Sequence, residues 1–114
     1  MLSLEKALEL SKTWKKLSLS GKIRFFCGPR NGFDSPLQGY LTGKLELPAD
    51  DMIAVNFSGN TVLLSLRDCE IDVVDLADLP ESMKLGTHDA LETIWQLSFP
   101  TGELCLLFVF RPAN

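Results

Sequence analysis

The chain has 114 residues, of which 46% are hydrophobic and 23% charged, with a net charge of −4 and three cysteines. This balance excludes a disordered chain and predicts one domain over residues 1–114 with its own hydrophobic core. The longest fully apolar run, residues 104–110, is far shorter than the roughly 20 residues that span a bilayer, and charged residues interrupt the N-terminal leucines. We therefore expect no membrane partner and a cytoplasmic location.

The first predicted element is an amphipathic helix over residues 4–17. Ser3 can cap it, because its hydroxyl can accept a backbone N–H of the first turn. Ser18, Ser20 and Gly21 are expected to end it. Apolar residues recur at three- and four-residue spacing and share one face, namely Leu4, Ala7, Leu10, Trp14 and Leu17.

Alternation of apolar and polar residues predicts two strands next, over residues 22–27 and 37–47. Gly39 and Gly43 lie on the apolar side of the second strand. Glycine at such positions favours a sharp bend or the close approach of another element. Pro48 is expected to end this strand.

Two hairpins complete the predicted strands. The first runs over residues 53–66 around a turn at 58–60, and a change of phase near Arg67 and Asp68 indicates a bulge or turn before a strand at 69–73. A short helical turn is expected over residues 76–83. The last hairpin joins residues 91–99 to 103–110, and its second strand is apolar on both faces. That strand should therefore be interior, with the helix covering one side.

Together these elements predict the α+β class, since strands and helices do not alternate repeatedly. The expected architecture is an N-terminal amphipathic helix packed on a mostly antiparallel, six- to seven-stranded bent sheet or small barrel.

The sequence gives little support for a catalytic site. Cys27, Cys69 and Cys105 are widely spaced and form no CxxC motif, so we expect small buried hydrophobes rather than a disulfide or zinc site. A Cys27 nucleophile would need a nearby base. His88 is the single histidine, but nothing in the sequence places it beside Cys27. No catalytic residue is predicted.

An acidic stretch begins with Asp68, Glu70 and Asp72, which share one face of a predicted strand. Same-face neighbours are about 7 Å apart, too far for adjacent carboxylates to chelate one ion, and no DxDxDG motif is present. Asp75, Asp78 and Glu81 extend the stretch. A solvated strand face is favoured over a cation site, and neither a metal nor a cofactor is predicted.

The connection at residues 28–36 is the candidate ligand-binding site. Arg30, Asn31 and Asp34 offer a guanidinium, an amide and a carboxylate on backbone constrained by two prolines, and binding residues concentrate on such loops. The alternative is a plain connection between two strands, which we favour. No phosphate-binding glycine motif is present.

The charge is unevenly distributed along the chain. Residues 1–30 hold seven basic and two acidic side chains, a balance of +5, whereas the rest holds four basic and thirteen acidic side chains, a balance of −9. The basic part could attract nucleic acid, but the later acids would repel a phosphate backbone, so such binding is not expected.

The function class that these observations favour is a non-enzymatic interaction or assembly module. It would have a basic N-terminal face and an acidic remainder, and it would bind a protein partner or a second copy of itself. The alternative is a small-ligand-binding domain or minor enzyme with its site near residues 28–36.

Overall fold

A computed structural model describes residues 1–17, 19–27, 37–49, 51–57, 59–79 and 90–111. Within these ranges one α-helix is followed by seven β-strands, with a short 3-10 helix at Leu76–Asp78 between the fifth and sixth. The elements are α1 (Leu4–Lys16), β1 (Ser20–Cys27), β2 (Leu37–Ala49), β3 (Met52–Phe57), β4 (Asn60–Ser65), β5 (Glu70–Val73), β6 (Leu91–Ser98) and β7 (Leu104–Phe110).

Local hydrogen bonds explain the limits of α1. The backbone N–H of Lys6 donates to Ser3 Oγ at 3.2 Å, as expected of a capping serine. At the other end the N–H of Leu19 donates to the carbonyl of Trp14 at 3.0 Å. The predicted helix over residues 4–17 is thus confirmed to within one residue.

The strands form one antiparallel sheet in the order β4-β3-β2-β1-β7-β6-β5. The prediction that Pro48 ends β2 was wrong, because β2 continues to Ala49. The register with β3 shifts between Glu46 and Ala49. A proline, which has no N–H to donate, is tolerated at such an irregularity.

The sheet is bent so strongly that its two edges approach each other. β4 and β5 lie at opposite edges, yet only residues 66–69 connect them. In a flat seven-stranded sheet the edges would be about 29 Å apart, whereas so short a connection spans at most about 18 Å. A turn at Arg67 and Asp68, with Asp68 at φ 64°, makes this connection. β4 and β5 do not pair, so of the two predicted forms the molecule has the bent sheet and not the closed barrel.

The inner face of the sheet holds the larger core. Its cluster of buried side chains draws on all seven strands and on α1. The rings of Trp14 from α1 and Trp95 from β6 lie 4.3 Å apart between centroids, at an interplanar angle of 52°. Aromatic pairs at this separation add attraction beyond the burial of their surfaces. The predicted packing of the helix on one face is confirmed.

The outer face carries a second, smaller core over β6 and β7. Leu106 and Phe108 of β7 are buried there beneath Leu79, with Val74 and Leu76 packed against them. β7 therefore lies inside the sheet with material on both faces, as its continuous run of apolar residues predicted.

Gly43 stands where the sheet leaves no room for a side chain. A Cβ at this position would collide with the backbone oxygen of Asn56 on β3 and would lie 3.0 Å from Val55. The close approach predicted from glycine on the apolar side of β2 is therefore confirmed at Gly43.

Candidate interaction surfaces

The predicted ligand-binding residues Arg30, Asn31 and Asp34 lie outside the described residues, as does His88. The described strands fix only the two ends of the connection at 28–36, since Cys27 of β1 pairs directly with Leu37 of β2. The ligand-binding interpretation of this connection stays a prediction.

Acidic side chains occur along β5 and in the segments on either side of it, and we call them the acidic surface. We define it by Asp68, Glu70, Asp72, Asp75 and Asp78. Glu70 and Asp72 lie on the outer face of the sheet, because they pair with Ser98 and Gln96, which in turn pair with the outer-face residues of β7. These two carboxylates therefore lie on one face of the edge strand, and Asp75 and Asp78 follow them along the chain at exposed positions.

Two members of the acidic surface have partners within the chain. The N-terminal ammonium of Met1 lies 3.5 Å from Asp72 Oδ1, and both groups are solvent-exposed. Asp75 Oδ1 accepts the N–H of Ala77 at 3.1 Å and so caps the 3-10 helix. Among the described residues, no three His, Cys, Asp or Glu side chains lie close enough together to hold a metal ion.

A basic surface lies on the outer face of β1 and β2. Arg24 pairs with Leu106 of β7 and Lys22 with Phe108, which places both cations on the outer face. Lys44 follows on β2, diagonal to Lys22. We define the basic surface by these three residues, Lys22, Arg24 and Lys44.

The remaining lysines of the basic N-terminal part whose side chains are described lie elsewhere. Lys6, Lys12 and Lys16 are exposed on α1, which covers the inner face of the sheet. The sequence alone did not show that the lysines of α1 lie apart from the basic surface, because that separation depends on which face of the sheet the helix packs against.

The basic and acidic surfaces share one face of the sheet but do not touch. β7 and β6 separate β1 from β5, so three strand spacings, about 14 Å, lie between the two surfaces. The Debye length at physiological ionic strength is about 8 Å. Salt therefore screens most of the attraction between the two surfaces within one molecule.

Three further ion pairs join described charged side chains. Lys6 approaches Glu9 within one turn of α1, and Arg67 Nε lies 2.8 Å from Asp51 Oδ2. Arg111 Nε lies 3.9 Å from Glu92 Oε2. None of these pairs links Arg24 or Lys44 to the acidic surface.

The cysteines whose side chains are described do not form a reactive site. Cys105 is buried in the inner core, as predicted. Cys69 is only half-buried, and this burial raises the pKa of its thiol. A raised pKa lowers the thiolate fraction at neutral pH and so opposes a role as nucleophile. The side chain of Cys27 is outside the described part of the chain.

Comparisons with protein-family models, with curated proteins and with solved structures found no match for the chain. Over the described ranges, no helix is long and apolar enough to cross a membrane.

Proposed function

We propose that the domain is a non-enzymatic interaction module that assembles through its two charged surfaces. The observation that carries this proposal is the separation of the basic and acidic surfaces by β6 and β7 on one outer face. Surfaces that are too far apart to neutralise each other within one molecule are available to attract their opposites on another.

A second copy of the chain provides both complements at once. Because the sheet is strongly bent and Val74, Leu76 and Leu79 cover β6 and β7 between the two surfaces, the basic surface of one copy would lie against the acidic surface of the next in a head-to-tail arrangement. Such contacts are heterologous and build chains or closed rings. Exposed Glu70 and partly exposed Arg24 are then the central charges of each contact.

Charge reversal tests this proposal. Arg24→Glu and Glu70→Lys each place like charges at every contact between the basic and acidic surfaces, so each variant alone should lose the association that depends on salt. An equimolar mixture of the two variants has opposite charges at these contacts and should regain it. Sedimentation velocity of each variant and of the mixture, at low and high salt, measures these changes.

Matched controls are available on the helix. Lys12→Glu and Glu9→Lys change the net charge by the same amounts at exposed positions on α1, and both should leave association unchanged. The proposal is wrong if the controls weaken the salt-dependent association as much as the test variants do, or if the mixture lacks the salt-dependent association that the wild type shows.

A further inference from the structure

The two edge strands of the sheet differ in how they are protected against pairing. At β5 the N–H of Leu2 donates to the carbonyl of Ile71 at 2.7 Å, and Glu70 and Asp72 carry charges along the strand. β4 has the sequence NTVLLS, with neither a charge nor a proline. Charged residues and covering segments are the usual means by which proteins block edge-to-edge pairing. β4 contains no charged residue, and among the described strands only β3 pairs with it.

The register between β3 and β4 fixes which backbone groups of β4 point outward. The N–H of Leu66 donates to the carbonyl of Asp51 at 2.8 Å, so these opposite residues form a hydrogen-bonded pair. Such pairs alternate along an antiparallel ladder. The N–H and C=O groups of Thr61, Leu63 and Ser65 therefore point away from β3, toward the free edge.

The side chains of the same three residues are exposed on the outer face. Leu63 is 56% exposed, although leucine is a residue that proteins usually bury. Its neighbour Leu64 points inward and is buried in the inner core. The edge thus combines a row of outward backbone hydrogen-bonding groups with an exposed apolar side chain at its centre.

We propose that β4 is a self-association edge, on which β4 of a second copy pairs antiparallel with Leu63 at the two-fold axis. This register places Leu63 opposite its own counterpart and Thr61 opposite Ser65, where two hydroxyls can hydrogen-bond. Val62 then faces Leu64. Because β4 is uncharged, the two-fold symmetry brings no like charges together, which favours a second copy over a charged partner.

This edge is separate from the charged surfaces, so the two proposals stand or fall independently. Association through the charged surfaces weakens as salt rises. Pairing of β4 with β4 depends on backbone hydrogen bonds and apolar contact, and it should persist at high salt.

Sedimentation equilibrium at high salt tests the edge. The wild type should be dimeric, Leu63→Lys should be monomeric at the same concentrations, and Val73→Lys should remain dimeric. Val73 is the matched control because it is 61% exposed and lies on the other edge strand. Circular dichroism of each variant confirms that the fold is retained.

Cysteine cross-linking tests the register and does not depend on the lysine variant folding. In a hydrogen-bonded pair the Cα atoms are about 5.5 Å apart, so a short bifunctional thiol reagent can join two cysteines there. Leu63→Cys should therefore cross-link to itself with such a reagent, as identified by peptide mapping. Ser65→Cys should not, since its counterpart lies four residues, about 13 Å, further along the strands.

Two results would overturn the inference. One is a wild type that stays monomeric at high salt up to high protein concentration. The other is a dimer that survives Leu63→Lys or that cross-links equally well through Ser65→Cys.

Discussion

Gly43 is the residue, among the glycines at Gly21, Gly43 and Gly59, at which an added Cβ would come closest to its neighbours. In Gly43→Ala the new methyl group would meet the backbone of Asn56, and backbone cannot move aside as a flexible side chain can. We expect a loss of about 1–3 kcal/mol in the free energy of unfolding, typical of overpacking. Urea denaturation measures this loss.

Gly59→Asn is the control for the Gly43 variant. Gly59 has φ +80°, a conformation that asparagine tolerates, and a Cβ there would meet nothing within 4 Å. The free energy of unfolding of the Gly59→Asn variant should therefore change little. Equal losses in the two variants would contradict the steric explanation.

Cys69 gives a second prediction at this scale, in its reaction with a thiol reagent. Burial raises the pKa of the thiol, so its thiolate fraction at any neutral pH is below that of a free cysteine. Its labelling rate should therefore be slow near pH 7 and should keep rising at a pH where a free thiol has already reached its plateau. Rapid labelling of Cys69 at pH 7, identified by mass spectrometry, would contradict this.

Cys105 serves as an internal reference in the same experiment. Only 2% of its surface is exposed. It should react only when the protein unfolds, whatever the pH of the labelling reaction.

At the scale of elements, the attachment of α1 to the sheet depends on the contact between Trp14 and Trp95. Trp14→Ala removes a buried aromatic side chain from the inner core, and we expect a loss of about 3–5 kcal/mol in the free energy of unfolding. Lys12→Ala, at an exposed position on the same helix, should change it by less than about 0.5 kcal/mol. Chemical denaturation followed by circular dichroism compares the two, and similar losses would contradict the proposed packing.

The elements themselves could be predicted because their signals are local. The periodicity around Trp14 marked the helix, and alternation marked the strands, including β7 with its two apolar faces. Pro48 misled the prediction, because whether a proline ends a strand depends on the register with its neighbour, and that register is a property of two strands. The order of the strands was likewise unpredictable from local patterns.

For the candidate surfaces too, the sequence predicted what depends on local pattern and missed what depends on the folded arrangement. The acidic run could be read from the sequence because β5 keeps it on one outward side. The basic part could not be divided correctly, since Arg24 lies on the outer face while Lys12 lies on the helix over the inner face. The open edge at β4 was missed because only the strand order shows which strands lie at the edges.

At the scale of the whole molecule, the bent sheet carries two separate features on its exterior. One is the outer face, with a basic surface at β1 and β2 and an acidic surface at β5. The other is the uncharged edge at β4. The first predicts association that depends on salt, and the second predicts pairing that does not.

Sedimentation velocity of the wild-type protein at low and high salt, over a range of concentrations, tests the central claim most directly. Association through the charged surfaces predicts a larger average sedimentation coefficient at low salt, which falls as salt rises. A dimer that remains at high salt is then the species attributed to β4. A sedimentation coefficient that is the same at both salts would contradict assembly through the charged surfaces.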